Sequence, residues 1–421
     1  MTGCLDSGPA ADPRQQPGEA FIDIVRGKYR VEPEIDRVLT RKLRQRAGPP
    51  HRPVTLDEVT ASLGRLLSRE LDKPFAVSGV RWMTGGSSKL QASFDLTWHG
   101  LAGDQPEHVT PMVLRMSPAE SIVESSRRRE FEMIRALKGL IPVPECYWED
   151  EDAEVFPYPA MVFGRVEGVA KPSTDTSQQV TGLGINYGTA LRPAVTAAFM
   201  EGLARFHTAD VAALDLPSFE LPPVGTNEGI LKQVAMWRRV WDEDRGEEEP
   251  LFTLAANWLE DHAPVLDHAS IIHGDCRSGN FLINEGDGRI TAWLDWELTV
   301  IGDRHQDLTW ATSLAYAHLA EDGKTVLVNG MLPVADFYAA YEQATGLPID
   351  EGRIRYYRIY NAWVAAIVCI ATGYRAARGG KSHQDVVLTW LNGIGGMLMA
   401  QIHHSLAEAM TAQGVSGGDG R

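Results

Sequence analysis

The segment Ile271-Ile272-His273-Gly274-Asp275-Cys276-Arg277-Ser278-Gly279-Asn280, followed by Leu294-Asp295-Trp296-Glu297, constrains this chain most. It sets a carboxylate, an amide and a second carboxylate in a fixed order, with four residues between Asp275 and Asn280. Ile271-Ile272 reads as the end of a buried strand, and His273-Gly274-Asp275 as a turn. Phe281–Ile283 and Ile290–Leu294 are apolar runs separated by Asn284-Glu285-Gly286-Asp287-Gly288-Arg289, which predicts a hairpin. A hairpin returns the chain to its start, so Asp295 can lie beside Asn280. A lone His-Gly-Asp would be an ordinary turn, but the spaced set at strand ends fits phosphoryl transfer. That reaction needs one carboxylate to orient an attacking hydroxyl and hard oxygen ligands to hold Mg2+ against phosphates. Asp275 suits the first task, Asn280 and Asp295 the second.

With these residues in view, the segment resembles the aminoglycoside phosphotransferase family. It is most similar to the kinase domains linked to acyl-CoA dehydrogenases, which share the HGD-x-x-x-x-N loop, LDWE and then GD-x-x-x-DL, here Gly302 to Leu308. The resemblance covers roughly residues 75–400 and is sharp between 271 and 310. It implies an α+β, protein-kinase-like fold with a small antiparallel-sheet N-lobe, a larger mainly helical C-lobe, and ATP in the cleft between them.

The upstream chain agrees. Val77–Thr84 reads as a strand, Gly85-Gly86-Ser87-Ser88 as a glycine-rich turn, and Leu90–Trp98 as an alternating strand. Glycines in such a turn let backbone N–H groups approach phosphate oxygens. The same four residues would also suit a plain hairpin. Met112–Met116 is an apolar run carrying Arg115 where the resemblance implies a phosphate-contacting lysine. Arginine is permanently charged and grips phosphate with a fork, but it is bulkier than lysine. The partner is expected on a helix over 121–140, with Glu130 the best match and Glu124 and Glu132 in competition. Arg127-Arg128-Arg129 reads as a solvated helix face. Met161–Gly168, including Phe163, is where the resemblance puts adenine.

Further helices are expected over 196–207, 229–245, 250–265, 307–320, 333–345, 351–375 and 384–412. His207 reads as a packed structural histidine. Trp237, Trp310, Tyr356, Tyr357 and Trp363 read as core, or else as pocket walls. Of Asp303 and Asp307, one is expected to cap the next helix and one to bond the catalytic loop's backbone; Glu297 could reach a metal or a neighbouring turn. The domains expected are a disordered 1–19, a helical extension over 20–72, the N-lobe at 73–165, the C-lobe at 166–412 and a frayed 413–421. Thr55-Leu56-Asp57-Glu58 is a capping box, and the helix it opens could brace the N-lobe or form a homodimer contact.

The formal net charge of −16 argues against nucleic acid or an anionic membrane as partner. Four scattered cysteines, no spanning apolar run and no signal-peptide core suit a cytoplasmic protein. The reading that results is an ATP- and Mg2+-dependent kinase acting on a hydroxyl of a small molecule. A hydroxyacyl compound or hydroxyacyl-CoA is the first choice of acceptor. An aminoglycoside, a macrolide or a choline-like amino alcohol is the alternative, and a catalytically inactive nucleotide-binding protein is a second one.

Overall fold

The computed structural model describes residues 12–49, 52–83, 89–175, 183–380 and 385–416. The chain begins with α1 (Glu19–Lys28), α2 (Pro33–Arg46) and α3 (Leu56–Glu70). The N-lobe follows as β1 (Ala76–Trp82), β2 (Leu90–Trp98), β3 (His108–Met116), α4 (Arg127–Leu137), β4 (Cys146–Asp150) and β5 (Ala160–Gly164). Its strands form one antiparallel sheet in the order β1-β2-β3-β5-β4.

Strand alternation decides which residues face the cleft. Met112, Leu114 and Met116 of β3 point with Ala92, Phe94 and Leu96 of β2 to one face. There α3 covers them with Val59, Leu63, Leu66 and Leu67. Each such leucine contributes about 1.5–3 kcal/mol by leaving water. The capping box at Thr55 and Glu58 is formed in full. The alternate positions of β3, Val113 and Arg115, therefore face the other way, toward α4.

The C-lobe comprises α5 (Gly188–His207), α6 (Glu228–Asp244), α7 (Pro250–Asp261), β6 (Ser270–Ile272), β7 (Phe281–Ile283), β8 (Ile290–Trp293), β9 (Val300–Gly302), α8 (His305–Ala311), β10 (His318–Leu319), β11 (Val326–Leu327), α9 (Val334–Thr345), α10 (Glu351–Ile367), α11 (Gly373–Gly379) and α12 (Asp385–Ser416). A π-helical stretch, Val368–Thr372, joins α10 to α11. Trp237, Tyr356, Tyr357 and Trp363 are buried in the core between α6, α7, α10 and α12, and of the four Tyr357 also borders a small crevice beside Gln233 and Asp303. Among the described residues no helix is long and apolar enough to cross a membrane.

Several expectations need correction. The helix expected over 121–140 is only Arg127–Leu137, because Ser126 adopts extended backbone and its hydroxyl caps the helix by accepting from Arg129 N. Ile122, counted on that helix, instead packs against Ala376. The three arginines are no solvated face: Arg127 and Arg129 are buried and ion-paired. The helix expected over 307–320 ends at Ala311, followed by a 3-10 turn at Leu314–Tyr316 and the β10–β11 pair. Residues 12–19 are not loose: Arg14 donates to Asp242 O at 2.7 Å and Glu19 opens α1. At the other end α12 runs to Ser416, past the expected frayed start at 413.

Candidate active site

The segment from Ile271 to Gly302 is built on two short antiparallel pairs. β6 pairs with β9, a partner the sequence did not disclose, and β7 pairs with β8 as expected. Beyond the β7–β8 ladder, Leu294 N donates to Asn280 O at 2.8 Å, which brings Asp295 to the same end of the hairpin as Asn280. The loop turns at Gly274, whose φ is +82 and where a Cβ would meet Leu298 O at 2.6 Å. Only glycine is unstrained there.

Three donors converge on Asp275. Trp310 Nε1 donates to its Oδ1 at 2.6 Å, Arg277 Nε to the same oxygen at 2.9 Å, and Asn280 Nδ2 to Oδ2 at 2.6 Å. The arrangement fixes the carboxylate while leaving it partly open to solvent. Because Asn280 turns its nitrogen to Asp275, its oxygen is the atom a cation could take. Arg277 also lies over the Tyr316 ring, 5.4 Å from the centroid.

Asp307 accepts from His273 N at 2.7 Å and Gly274 N at 2.9 Å, so it organises the loop's backbone. His207 stands behind it, with Nε2 3.2 Å from Asp307 and Nδ1 2.9 Å from the Tyr341 hydroxyl. Burial pushes the His207 ring below its usual range despite Asp307. A neutral ring donating to Asp307 and accepting from Tyr341 fits both contacts. Asp303 accepts from His305 N at 3.0 Å, near the start of α8. Asp307 takes the loop-organising role expected of one of the two, whereas the N-cap of α8 is Arg304, with no side-chain cap bond, so neither aspartate caps that helix.

Asp295 sits in the left-handed region at φ 65, a strained conformation for a non-glycine. Its carboxylate is held by Arg115 from β3. Arg115 Nε lies 3.6 Å from Glu130 Oε1, and its terminal nitrogen 3.3 Å from Glu297 Oε1. Glu130 is thus the α4 carboxylate facing Arg115. Glu124 instead accepts from Ser121 N, and Glu132 bonds Ser218. Glu297 joins a buried cluster with Lys89 at 3.0 Å and Arg127 at 2.9 Å.

The charges in this cluster are unequal. Burial alone would raise the Glu297 carboxyl, but Lys89, Arg115 and Arg127 outweigh it and hold it well below the ordinary range. Burial dominates at Glu130 and lifts it, with Arg115 and Arg127 only partly opposing. For Arg115, burial works against the charge, and Asp295, Glu130 and Glu297 together more than restore it.

Gly85, Gly86, Ser87 and Ser88 lie outside the described residues. Met161 pairs with Arg115 across β5 and β3 and is buried; Phe163, two residues on, is half-buried. The site therefore draws together Asp275, Asn280, Asp295, Arg115 and Glu130. Sequence reasoning assigned no role to Arg277 or Lys89, and it read Trp310 only as core or pocket wall, without its bond to Asp275. Arg277 is the cation inside the His273–Asn280 segment, Trp310 lies three residues after Asp307 on α8, and Lys89 directly follows Gly85-Gly86-Ser87-Ser88 in sequence. A cavity of about 370 Å³ lined by Phe131, Ile134, Lys138 and Tyr147 shares no residue with this constellation.

A model of the phosphotransferase enzyme family matches residues 98–357, more than half of the chain. The chain belongs to that family. This phosphotransferase is 25% identical over 291 residues to a probable acyl-CoA dehydrogenase, IBR3, of Arabidopsis thaliana, covering 64% of the chain and 34% of the relative. It is 30% identical over 209 residues to acyl-CoA dehydrogenase family member 11 of Gallus gallus, covering 48% and 25%. The phosphotransferase thus spans about a third or less of these curated relatives. A solved structure from Ralstonia eutropha JMP134, provisionally assigned as an aminoglycoside phosphotransferase, shares its fold. The TM-score is 0.56 at 22% identity, over 82% of this chain and 98% of that one.

Proposed function

We propose that this phosphotransferase moves the γ-phosphate of ATP to a hydroxyl of a small molecule, with Asp275 as the catalytic carboxylate. The observation that carries the reading is the fixed Asp275 carboxylate, held by Trp310, Arg277 and Asn280 beside Asp295. A carboxylate so restrained can accept a hydrogen bond from the acceptor hydroxyl and aim its oxygen for in-line attack. Arg277, adjacent to it, is placed to counter charge on the phosphoryl oxygens. Arg115 is the candidate phosphate cation of the N-lobe. Its Nε is buried and without a hydrogen bond among the described residues. Met161 and Phe163 belong to the strand proposed to meet adenine.

The donor chemistry fits Mg2+: an amide oxygen of Asn280 and a carboxylate of Asp295 are hard ligands, and magnesium ordinarily completes its shell with phosphate and water. The ion, when bound, supplies charge neutralisation at the phosphates.

The proposed acceptor is a hydroxyacyl compound. Its support is twofold. The acceptor side of Asp275 presents Trp310 and Tyr316, with Leu314 76% exposed on the same turn as Tyr316, and its nearest charge is the Arg277 cation. An apolar chain ending in an anionic group suits that wall better than a polycationic antibiotic does. The matched relatives are named as acyl-CoA dehydrogenases. The test is an ATP-consumption screen against hydroxyacyl-CoAs, free hydroxy acids, aminoglycosides, macrolides and amino alcohols. Turnover confined to aminoglycosides or amino alcohols would overturn the acceptor assignment.

A second reading has one observation in its favour. Arg115 engages the Asp295 carboxylate that the kinase reading assigns to the metal. A protein that binds nucleotide without transferring phosphate would keep that pair. Mg-ATP binding with no phosphorylation of any acceptor in the screen would select it.

A further inference from the structure

The reaction residues so far come from β3, α4 and the catalytic loop, yet α4 is seated by a helix outside all of them. One side of α2 is fixed to the C-lobe. Leu39 is buried among the aromatic residues of α6 and α10. Lys42 lies 3.0 Å from Asp244 and 2.8 Å from Glu243, with all three side chains buried. Arg239 reaches back from α6 to Asp36 at 2.6 Å.

The other side of α2 grips the start of α4. Glu34 accepts from the hydroxyl of Ser126, the residue that caps α4. Glu32, which precedes α2, pairs with Arg129 at 3.2 Å. Arg37 and Arg41 both hold Glu151 at 2.6 Å, and Glu151 in turn accepts from Arg128 N at 2.9 Å. Arg46 spans the lobes, 2.9 Å from Glu120 in the loop before α4 and 2.7 Å from Asp244 on α6.

Buried ion pairs add little stability over an apolar contact of the same size, but they are directional and fix register. Carboxylates gathered at a helix N-terminus also suit its dipole. The contacts are therefore those of a part that sets where α4 stands. Glu130 leaves α4 one turn beyond this seat and meets Arg115, which holds Asp295. A shift of α4 would pass straight into that chain.

We propose that α2 is a positioning element for phosphoryl transfer, and that Glu34 is a positioning residue acting through Ser126, α4 and Glu130. The inference rests on the nucleotide site assigned above. Glu34 does not touch the reacting groups; it governs how firmly the N-lobe cation is aimed.

The test uses the full chain with Glu34→Ala and Glu34→Gln, the latter keeping an oxygen acceptor for Ser126. Hydrogen exchange of the α4 amides is measured alongside Mg-ADP affinity and the KM for ATP. Loss of this contact is expected to speed exchange over Arg127–Leu137 by about tenfold and to raise the KM for ATP by about three- to tenfold. The KM for the acceptor should stay unchanged, and Glu34→Gln should restore most of the loss. Wild-type exchange in α4 together with a wild-type KM for ATP in Glu34→Ala would overturn the proposal. If Glu34→Ala does not fold, Glu32→Ala removes the neighbouring contact with Arg129 and is judged by the same two readouts. Failure of the wild type to bind Mg-ADP would instead count against the nucleotide site, while the exchange data would still decide whether α2 holds α4.

Discussion

Arg115 holds the carboxylate of Asp295 across 180 residues of sequence, joining the N-lobe sheet to the turn after β8. The same guanidinium faces Glu130 and Glu297. A lysine could not span all three carboxylates from one point charge. Arg115→Lys is expected to raise the KM for ATP about tenfold, roughly 1.4 kcal/mol. Arg115→Met, which strands buried carboxylates, should cost about 3–5 kcal/mol of stability in chemical denaturation. A lysine variant with unchanged KM would show that the fork geometry is irrelevant to nucleotide binding.

Asp275→Asn keeps the size of the side chain but not its capacity to accept from the attacking hydroxyl with full charge. Turnover is expected to fall by about 10²–10⁴. Mg-ADP binding measured by calorimetry should hardly change. Turnover equal to wild type would remove Asp275 from the reaction.

Trp310→Phe deletes a single donor, the indole N–H on Asp275 Oδ1. Removing it should lower kcat about tenfold and leave the KM for ATP alone, since the ring's packing against Tyr316 is largely retained. Steady-state kinetics with both substrates varied would separate the two parameters. A change confined to the KM for ATP would contradict the assignment of Trp310 to the acceptor side.

Stability should fall in two acid steps. Folded His207 resists protonation because it is buried, so below its ordinary value of 6.5 the unfolded chain takes up a proton that the fold refuses. More protons on the unfolded state means stability that decreases as pH drops through that range. Asp244 and Asp303 are held at about 2 against an ordinary 3.8, despite burial, by Lys42 and Arg46 in one case and by His305 and Arg353 in the other. Their contribution, roughly 2 kcal/mol each, is present above the unfolded value and lost as pH falls from about 4 toward 2. Urea midpoints across this range check both steps, and His207→Gln should flatten only the first. Midpoints that do not move between about pH 7.5 and 5.5 would mean that His207 titrates alike in both states.

Gly274→Ala would place a methyl group 2.6 Å from Leu298 O while demanding φ +82. We expect about 1–3 kcal/mol of destabilisation and a matching loss of kcat, because the same turn carries Asp275. Thermal melts and turnover on one preparation would test whether the two losses travel together.

Strands β1, β2, β3 and β5 and the β7–β8 hairpin were legible because each is an apolar run of strand length bounded by turn residues, whereas β4, the mixed Cys146-Tyr147-Trp148-Glu149-Asp150, was not read as a strand. Strand alternation then sent Arg115 to the cleft. The buried Arg127 and Arg129 were not legible. An arginine triplet at a helix start looks solvated until the carboxylates that enclose it are known, and those come from Glu32, Glu130 and Glu297. The shortened α8 was hidden similarly. Residues 312–320 carry helix-compatible apolar spacing, but Ser313 accepts from Ala315 N and the chain enters a 3-10 turn. Trp310 was visible as an aromatic residue. Its bond to Asp275 depends on β6–β9 pairing, which no local pattern encodes.

In the proposed mechanism Arg277, which donates to Asp275 and lies over the Tyr316 ring, would tie phosphate chemistry to acceptor selection through one side chain. Remodelling that wall for a new alcohol would therefore disturb turnover at the same stroke. Descendants of this protein that drift to other acceptors should pass through sluggish intermediates, and a compensating change near Tyr316 should be found wherever speed has been regained.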